Sequence, residues 1–327
     1  MLRFIQRPET DPYYNLAAEE YIFNTAQEDT MMIWRNEPSV IIGKHQNLMK
    51  EINAVFVGMH QLPVIRRITG GGAVYHDLGN INFSFIFTNR EENLIDFREF
   101  TLPVILFLQT LGIKATFEGK NNLTVNGFKI SGNSAHLHKN KVLFHGTLLF
   151  NTDLDVLEQA VSGREKLFND KAVGSVRAKV ANIQPMLEHK ISIGEFGLSF
   201  KEFMLKYFIG LDDKILNEDD QVSIIKLSEE KYKSFTWNYG YSPDYEFHNT
   251  WKFKEDEYSV SLQVKNGMIR NVNISGAGSR LSFLKKLEAI LTGNFHERKS
   301  LKNLLENHPF YSSEDSDLMN QLLNNLF

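Results

Sequence analysis

The sequence predicts a mixed α/β (α+β) fold, a mixed-sheet domain followed by a small α+β unit, on three observations. Short β-rich runs alternate with amphipathic helical stretches through the N-terminal part of the chain. Two Asn-Gly pairs, Asn126-Gly127 and Asn266-Gly267, each lie between β-rich runs, as tight hairpin turns do. The chain loosens at the proline-containing segment 242–248, and 327 residues are too many for most single domains and too few for three. A first domain over 1–245 and an accessory domain over 246–327 are therefore expected.

Asp11-Pro12 ahead of Leu16, Ala17, Glu20, Tyr21 and Phe23 reads as a cap and an early proline opening a helix to about Gln27. Runs at 31–34, 40–42, 64–68 and 81–87 predict strands of one sheet. Segment 97–111 has helical spacing and stops at Gly112, while 123–125 and 128–130 are the arms of the first hairpin. A strand over 142–150 and an amphipathic helix over 199–208 follow. Beyond the boundary, 258–264 and 268–274 form the second hairpin, with helical pattern over 281–291 and again near the C-terminus. No internal repeat or low-complexity segment is present.

With 42% hydrophobic and 23% charged residues the chain can bury a sizeable core, so disorder is not expected. A net charge of −4 supplies no field for capturing a polyanion, which argues against nucleic acid as a partner. The absence of cysteine excludes disulfides, thiolate zinc sites and acyl transfer through a cysteine thioester. Residues 1–10 lack the apolar stretch of a signal peptide, and no run reaches the roughly 18 apolar residues of a membrane span. A cytoplasmic protein without a membrane contact is expected, and a monomer is the simplest state.

The densest chemical signal is Arg66-Arg67-Ile68-Thr69-Gly70-Gly71-Gly72-Ala73-Val74-Tyr75-His76-Asp77. Three glycines let backbone N–H groups approach a phosphate or carboxylate, and arginine adds permanent charge in fork geometry, so the segment describes an anion cradle. A plain flexible turn is the competing reading of three glycines. Neither a P-loop nor a dinucleotide fingerprint fits, because no Lys-Ser or Lys-Thr follows at the required spacing and G-x-G-x-x-G is missing. Lys129, on the returning arm of the first hairpin beside Ser131 and Gly132, could hold an α-phosphate and an acyl oxygen together; alone, such a lysine is usually just solvated. His145 either orients a substrate or is a satisfied interior histidine. The basic, small-residue run holding Gly174, Ser175, Val176, Arg177 and Lys179 reads as a mobile lid over an anion or as a solvated loop. Trp34, Val40 and Ile41 with Gly43 lie on strands expected to border the cradle and to offer a dry slot for an acyl chain.

In order, Trp34-Arg35-Asn36, the run 38–43, the run 66–80, Lys129 to Gly132, His145 to Leu149 and the run 175–182 resemble the lipoate-protein ligase A family. The Arg-Arg-x-Thr-Gly-Gly-Gly-Ala-Val-x-His-Asp-Leu-Gly-Asn run carries most of that resemblance, which spans about residues 10 to 245. It implies a biotin ligase-like catalytic domain with a small accessory domain, acting on ATP, Mg²⁺ and lipoate. The implied ATP contacts are Arg67, Gly72, Ala73, Val74, Tyr75 and Lys129. The implied lipoate contacts are Arg66, Gly70, Gly71, Gly72, His76, Lys129 and His145. Lys129 is the implied catalytic residue, and Gly174, Ser175, Val176, Arg177 and Lys179 fall in the adenylate lid. Implied partners are lipoyl domains of 2-oxo acid dehydrogenase acyltransferase subunits and the glycine-cleavage H protein. One position departs from the family: Gly119-Lys120-Asn121-Asn122 stands where Gly-Arg-Asn-Asp is common, so Asn122 offers Mg²⁺ an amide oxygen without the charge. A transferase of the same fold using a preformed acyl donor, a biotin ligase and a non-catalytic binding module are the competing functions.

Overall fold

The computed structural model describes residues 3–88, 96–208, 212, 213, 215–276, 280–307 and 316–327. The chain builds two compact units, each assembled from separate stretches. One unit comprises Met1–Lys44, Ile65–Leu157 and Val176–Lys233, and the other His45–Val64, Glu158–Ser175 and Ser234–Phe327.

The first unit is organised by an eight-stranded mixed sheet. Its order is Asp212–Asp213, Arg3–Gln6, Thr30–Trp34, Asn80–Phe87, Lys141–Leu149, Phe128–His138, Asn122–Val125 and Thr116–Glu118. The Asn80–Phe87 strand is buried throughout, and its alternation decides what each face of the sheet becomes. Ile81, Phe83, Phe85 and Phe87 point to one side, where they join Phe107, Phe144, Phe196 and Phe200 in an aromatic core. Helices Phe97–Thr110 and Ile193–Tyr207 cover that side, the second opened by a capping box of Ser192 and Glu195. Asn80, Asn82 and Ser84 necessarily face the other way, so the opposite surface of the same strand is polar although buried.

Helix Pro12–Thr25 starts where Asp11 accepts a hydrogen bond from the Tyr14 amide, with proline at the first turn. The hairpin at Asn126-Gly127 has φ of 51° and 78°, the two positive values that a type I′ turn demands. The runs at 31–34, 40–42, 64–68 and 81–87 do not share one sheet. Ser39–Ile42 lies between Val64–Arg66 and Val74–His76 in a separate three-stranded sheet, because turn residues on both sides redirect it away from the Thr30–Trp34 strand.

The second unit carries a four-stranded sheet in the order Phe168–Asp170, Tyr245–Phe253, Asp256–Lys265 and Met268–Ser275. Its helices are Leu281–Leu291, Arg298–Glu306 and Ser316–Asn325. The segment read as loose at 242–248 enters a strand at Tyr245, whose side chain and that of Phe247 pack on Phe168. His296 is buried between a Tyr245 hydroxyl at 2.7 Å and the Leu326 carbonyl at 2.6 Å. Burial holds its pKa down to about 4. Among the described residues no helix is long and apolar enough to cross a membrane.

Candidate functional site

The polar face of the large sheet is built in rows, because residues paired across antiparallel strands share a side. Met32, Ser84, His145 and Ser134 form one row by direct pairing. Trp34, Asn82 and Thr147 form the next, continued by Gly132, whose amide donates to the Thr147 hydroxyl at 3.2 Å. Helix Pro12–Thr25 contributes Glu19, buried, whose carboxylate accepts from the Ser84 hydroxyl at 2.5 Å and from His145 Nδ1 at 2.9 Å. His145 Nε2 in turn lies 2.9 Å from the Thr69 hydroxyl, within hydrogen-bond distance. His145 is therefore joined to the glycine segment through Thr69, and Trp34 Nε1 donates to Ser84 at 3.1 Å to complete the chain.

The glycine segment is held from inside by Arg67. Its Nε donates to the Thr69 hydroxyl at 2.9 Å, and its Nη2 donates to the Gly70 and Gly72 carbonyls at 2.6 and 2.8 Å. Nη1 donates to the Ile41 carbonyl at 3.2 Å, and Ser134 adds a 2.8 Å bond to the Gly70 carbonyl. These bonds turn the Gly70 and Gly72 carbonyls toward the guanidinium. Gly71 has φ of +87°, and an added Cβ there would stand 2.9 Å from Arg67 Nη2. Gly43 is a second tight point: a Cβ on it would lie 2.1 Å from the Gly71 carbonyl oxygen. Arg66, fully buried, donates to the Gly43 and Lys44 carbonyls, both at 3.0 Å. Both arginines thus bind protein carbonyls and hold the loop in shape. Burial lowers the Arg67 pKa to about 10, with the Glu19 charge opposing the shift, so the group stays cationic at neutral pH.

Ala73 leads into the strand of Val74, Tyr75 and His76, which pairs with Ser39–Ile42. Tyr75 is buried, and its phenol is pushed up to about 12 by that burial. His76 lies edge-on to Trp34 with centroids 6.1 Å apart, and its Nδ1 is 3.2 Å from Asn36 Nδ2. Burial, then the charges of Arg67 and His145, hold His76 down at about 3. A histidine depressed when folded takes up its proton first in the unfolded chain, so stability should fall as pH drops below about 6.5. His76 and His296 are each expected to contribute a slope of about 1.4 kcal/mol per pH unit down toward those lowered values. Urea unfolding at pH 7 and pH 5 checks this; equal midpoints would show that neither ring is held neutral.

Lys129 lies on the polar side with its Nζ over Gly132, 2.9 Å from where a Cβ would be. Burial, then the nearby Arg67 charge, lowers its pKa. The lysine's main chain is clamped by the lid segment: its N–H donates to the Lys179 carbonyl at 2.8 Å, and its carbonyl accepts from Ala181 at 3.0 Å. Val176, Arg177 and Lys179 belong to the first unit, with Val176 nearly fully exposed. Gly174 and Ser175 belong to the second unit, where the buried Glu51 carboxylate accepts from both the hydroxyl and the amide of Ser175. The lid read from sequence as one loop is therefore shared between the two units.

The structure brings together Arg66, Arg67, Gly70 to Gly72, His76, Lys129 and His145 in the first unit. Asn122 pairs across from Gly132 at the start of its strand. Among the described residues no group of three or more His, Cys, Asp or Glu is placed to hold a metal ion. Sequence reasoning missed Glu19, Asn36, Ser84 and Ser134. Only Glu19 left a trace, as a carboxylate at helical spacing from Leu16, Ile22 and Phe23 on the buried stripe of its helix.

The lipoyl protein ligase A/B catalytic domain model matches residues 11–208, and the bacterial lipoate protein ligase C-terminus model matches 242–323. Lipoate-protein ligase 1 of Staphylococcus aureus is 38% identical, covering 92% of each chain. Lipoate-protein ligase LplJ of Bacillus subtilis is 35% identical, covering 90% of this chain and 91% of its own. Among solved structures, the bipartite lipoate protein ligase of Thermoplasma acidophilum superposes with a TM-score of 0.64 at 26% identity, over 73% of this chain and 96% of that one. A lipoate-protein ligase A bound with ATP gives a TM-score of 0.61 at 25% identity, over 73% and 98%. With a catalytic-domain model over most of the first unit's sequence and relatives above 30% identity along nearly the whole length, this chain is an enzyme of the lipoate-protein ligase family.

Proposed function

We propose that the chain activates free lipoate with ATP to lipoyl-AMP, releasing pyrophosphate, and then transfers the lipoyl group to a lysine of a lipoyl domain. The observation that carries this reading is the partly desolvated Lys129 ammonium over Gly132, on the same unit as a glycine loop whose carbonyls are turned inward by Arg67. The lipoate carboxylate attacks the α-phosphorus, and pyrophosphate leaves. Lys129 and the N–H groups of Gly70, Gly71 and Gly72 stabilise charge on the phosphate and acyl oxygens. The target amine then attacks the acyl carbon and AMP leaves, so neither step needs a protein nucleophile.

ATP contacts are assigned to Arg67, Gly72, Ala73, Val74, Tyr75 and Lys129. Lipoate contacts are assigned to Arg66, Gly70, Gly71, Gly72, His76, Lys129 and His145. Gly174, Ser175, Val176, Arg177 and Lys179 are the lid that keeps water from the adenylate. Among the described residues no carboxylate cluster forms a metal cage at Asn122, so a magnesium ion is assigned to the ATP phosphates and no protein step runs through it.

The catalytic part is taken as 1–245 and the accessory part as 246–327; family-model matches over 11–208 and 242–323 support two parts in that order. Carriers are lipoyl domains of 2-oxo acid dehydrogenase acyltransferases and the glycine-cleavage H protein, supported by the archaeal ligase studied together with its E2 lipoyl domain. A cytoplasmic monomer is the state proposed.

Pyrophosphate release from ATP and free lipoate, with and without an apo lipoyl domain, tests the reading. Release without the carrier is expected. Asn122, an amide where a carboxylate is common, favours one second reading, a transferase using preformed lipoyl-AMP. No release from ATP, combined with transfer from synthetic lipoyl-AMP, would replace the first reading by the second.

A further inference from the structure

Two buried N–H donors on the polar face lack a partner among the described residues, and both adjoin Trp34. The first is Asn82 Nδ2. Asn82 is 2% exposed, and with Asn80 Nδ2 donating to its Oδ1 at 2.9 Å the amino end of its amide is the end left free. The second is His76 Nε2 on a ring 4% exposed. Its proton can be placed by following the hydrogen bonds. Asn15 Nδ2 reaches the Glu9 and Arg35 carbonyls at 2.8 and 3.0 Å, so that atom is a nitrogen. It donates to Asn36 Oδ1 at 3.0 Å, which turns Asn36 Nδ2 toward His76 Nδ1. Nδ1 must then accept, and in the neutral ring the proton resides on Nε2.

Buried donors without partners are rare and costly, and such groups mark where a ligand or an ordered water supplies the acceptor. The row geometry says which part of a ligand that is. Lys129 Nζ sits over Gly132, and Thr147, Asn82 and Trp34 follow on successive strands. Strands are ~4.8 Å apart, so Asn82 lies roughly 10 Å from the Gly132 position. An extended chain advances ~1.3 Å per bond given bond lengths near 1.5 Å. A carboxylate at hydrogen-bond distance from Lys129 therefore brings the sixth to eighth carbons of an eight-carbon acid level with Asn82. In lipoate those carbons carry the dithiolane sulfurs; in octanoate they carry only hydrogen.

We infer that Asn82 is a specificity-determining residue, whose carboxamide N–H, with the Nε2–H of His76, donates to the dithiolane sulfur and favours lipoate over octanoate. The inference rests on the lipoate reading of the site. Sulfur is a weak acceptor, but the comparison is with a methylene chain that leaves both donors unsatisfied in a dry wall, which is how a polar site rejects an analogue lacking the matching group.

Calorimetric binding of lipoate, octanoate and 6-thiaoctanoate to the full chain without ATP tests it. The wild type should prefer lipoate over octanoate by roughly tenfold or more, and Asn82→Leu should lower that ratio by about tenfold, mainly by weakening lipoate. An unchanged ratio in Asn82→Leu, or an equal loss for both acids, overturns the inference. So does a wild type that binds the two acids equally or binds neither. If Asn82→Leu fails to fold, Asn82→Ala is measured instead. If that also fails, wild-type preference for 6-thiaoctanoate over octanoate supports the inference and equal affinities overturn it. Because binding is measured without ATP, a protein that binds lipoate selectively yet releases no pyrophosphate would sink the ligase reading alone.

Discussion

Lys129→Met is expected to lower pyrophosphate release from ATP and lipoate by about a thousandfold, the upper range for deleting one stabilising donor from a preorganised site. The same variant should fold at least as stably as the wild type. The native environment lowers the lysine's pKa, so the folded state disfavours its charge, and that penalty is present at every pH below the ordinary lysine range. A neutral side chain of similar length removes the penalty and keeps the packing over Gly132. Thermal midpoints and single-turnover assays separate the two effects. A collapsed midpoint would make Lys129 a structural residue, and a normal rate would remove it from the chemistry. The lowered pKa also fixes a sign: as pH rises through it, the ammonium is lost and wild-type activity should fall before ordinary lysines titrate.

Gly43→Ala carries the second large effect, at a residue that is no proposed ligand contact itself but packs against the loop that supplies them. The new methyl would stand 2.1 Å from the Gly71 oxygen, 3.0 Å from the Gly71 carbonyl carbon and 3.2 Å from that of Gly70. All three are main-chain atoms, so relief requires the loop itself to move. Overpacking of this kind costs about 1–3 kcal/mol of stability. A displacement near an ångström in a positioning element can cost about a hundredfold in rate. Urea unfolding and an ATP titration of pyrophosphate release should therefore both respond, with KM for ATP raised. An unchanged midpoint with an unchanged KM would mean that the loop yields freely and that its shape is not what Gly43 protects.

Those two positions show where sequence reading reached and where it stopped. The glycine run and Lys129 are legible because each is a local string whose backbone freedom or charge can be judged in place. The helix at Asp11 and the Asn126-Gly127 hairpin are legible for the same reason, since cap and turn chemistry act over a few residues. The carbonyl partners of Arg67 at Ile41, Gly70 and Gly72 were not, because no local pattern announces them. Asn82 reads as a neutral interruption of an alternating strand until pairing sets it between Trp34 and Thr147. The expectation of one sheet failed on the same ground: β-rich runs declare a strand but not its neighbour, and Ser39–Ile42 found its partners at Val64–Arg66 and Val74–His76. The Tyr245 strand was hidden by a nearby proline, and what secures it is Phe168, far away in the chain.

That last strand bears on how such a gene could be divided. The outermost strand of the accessory sheet, Phe168–Asp170, is encoded well ahead of the other three, and Asp170 is gripped by Asn47 and Lys50, encoded earlier still. A separately synthesised C-terminal polypeptide would leave the flank of Phe247 uncovered and sticky.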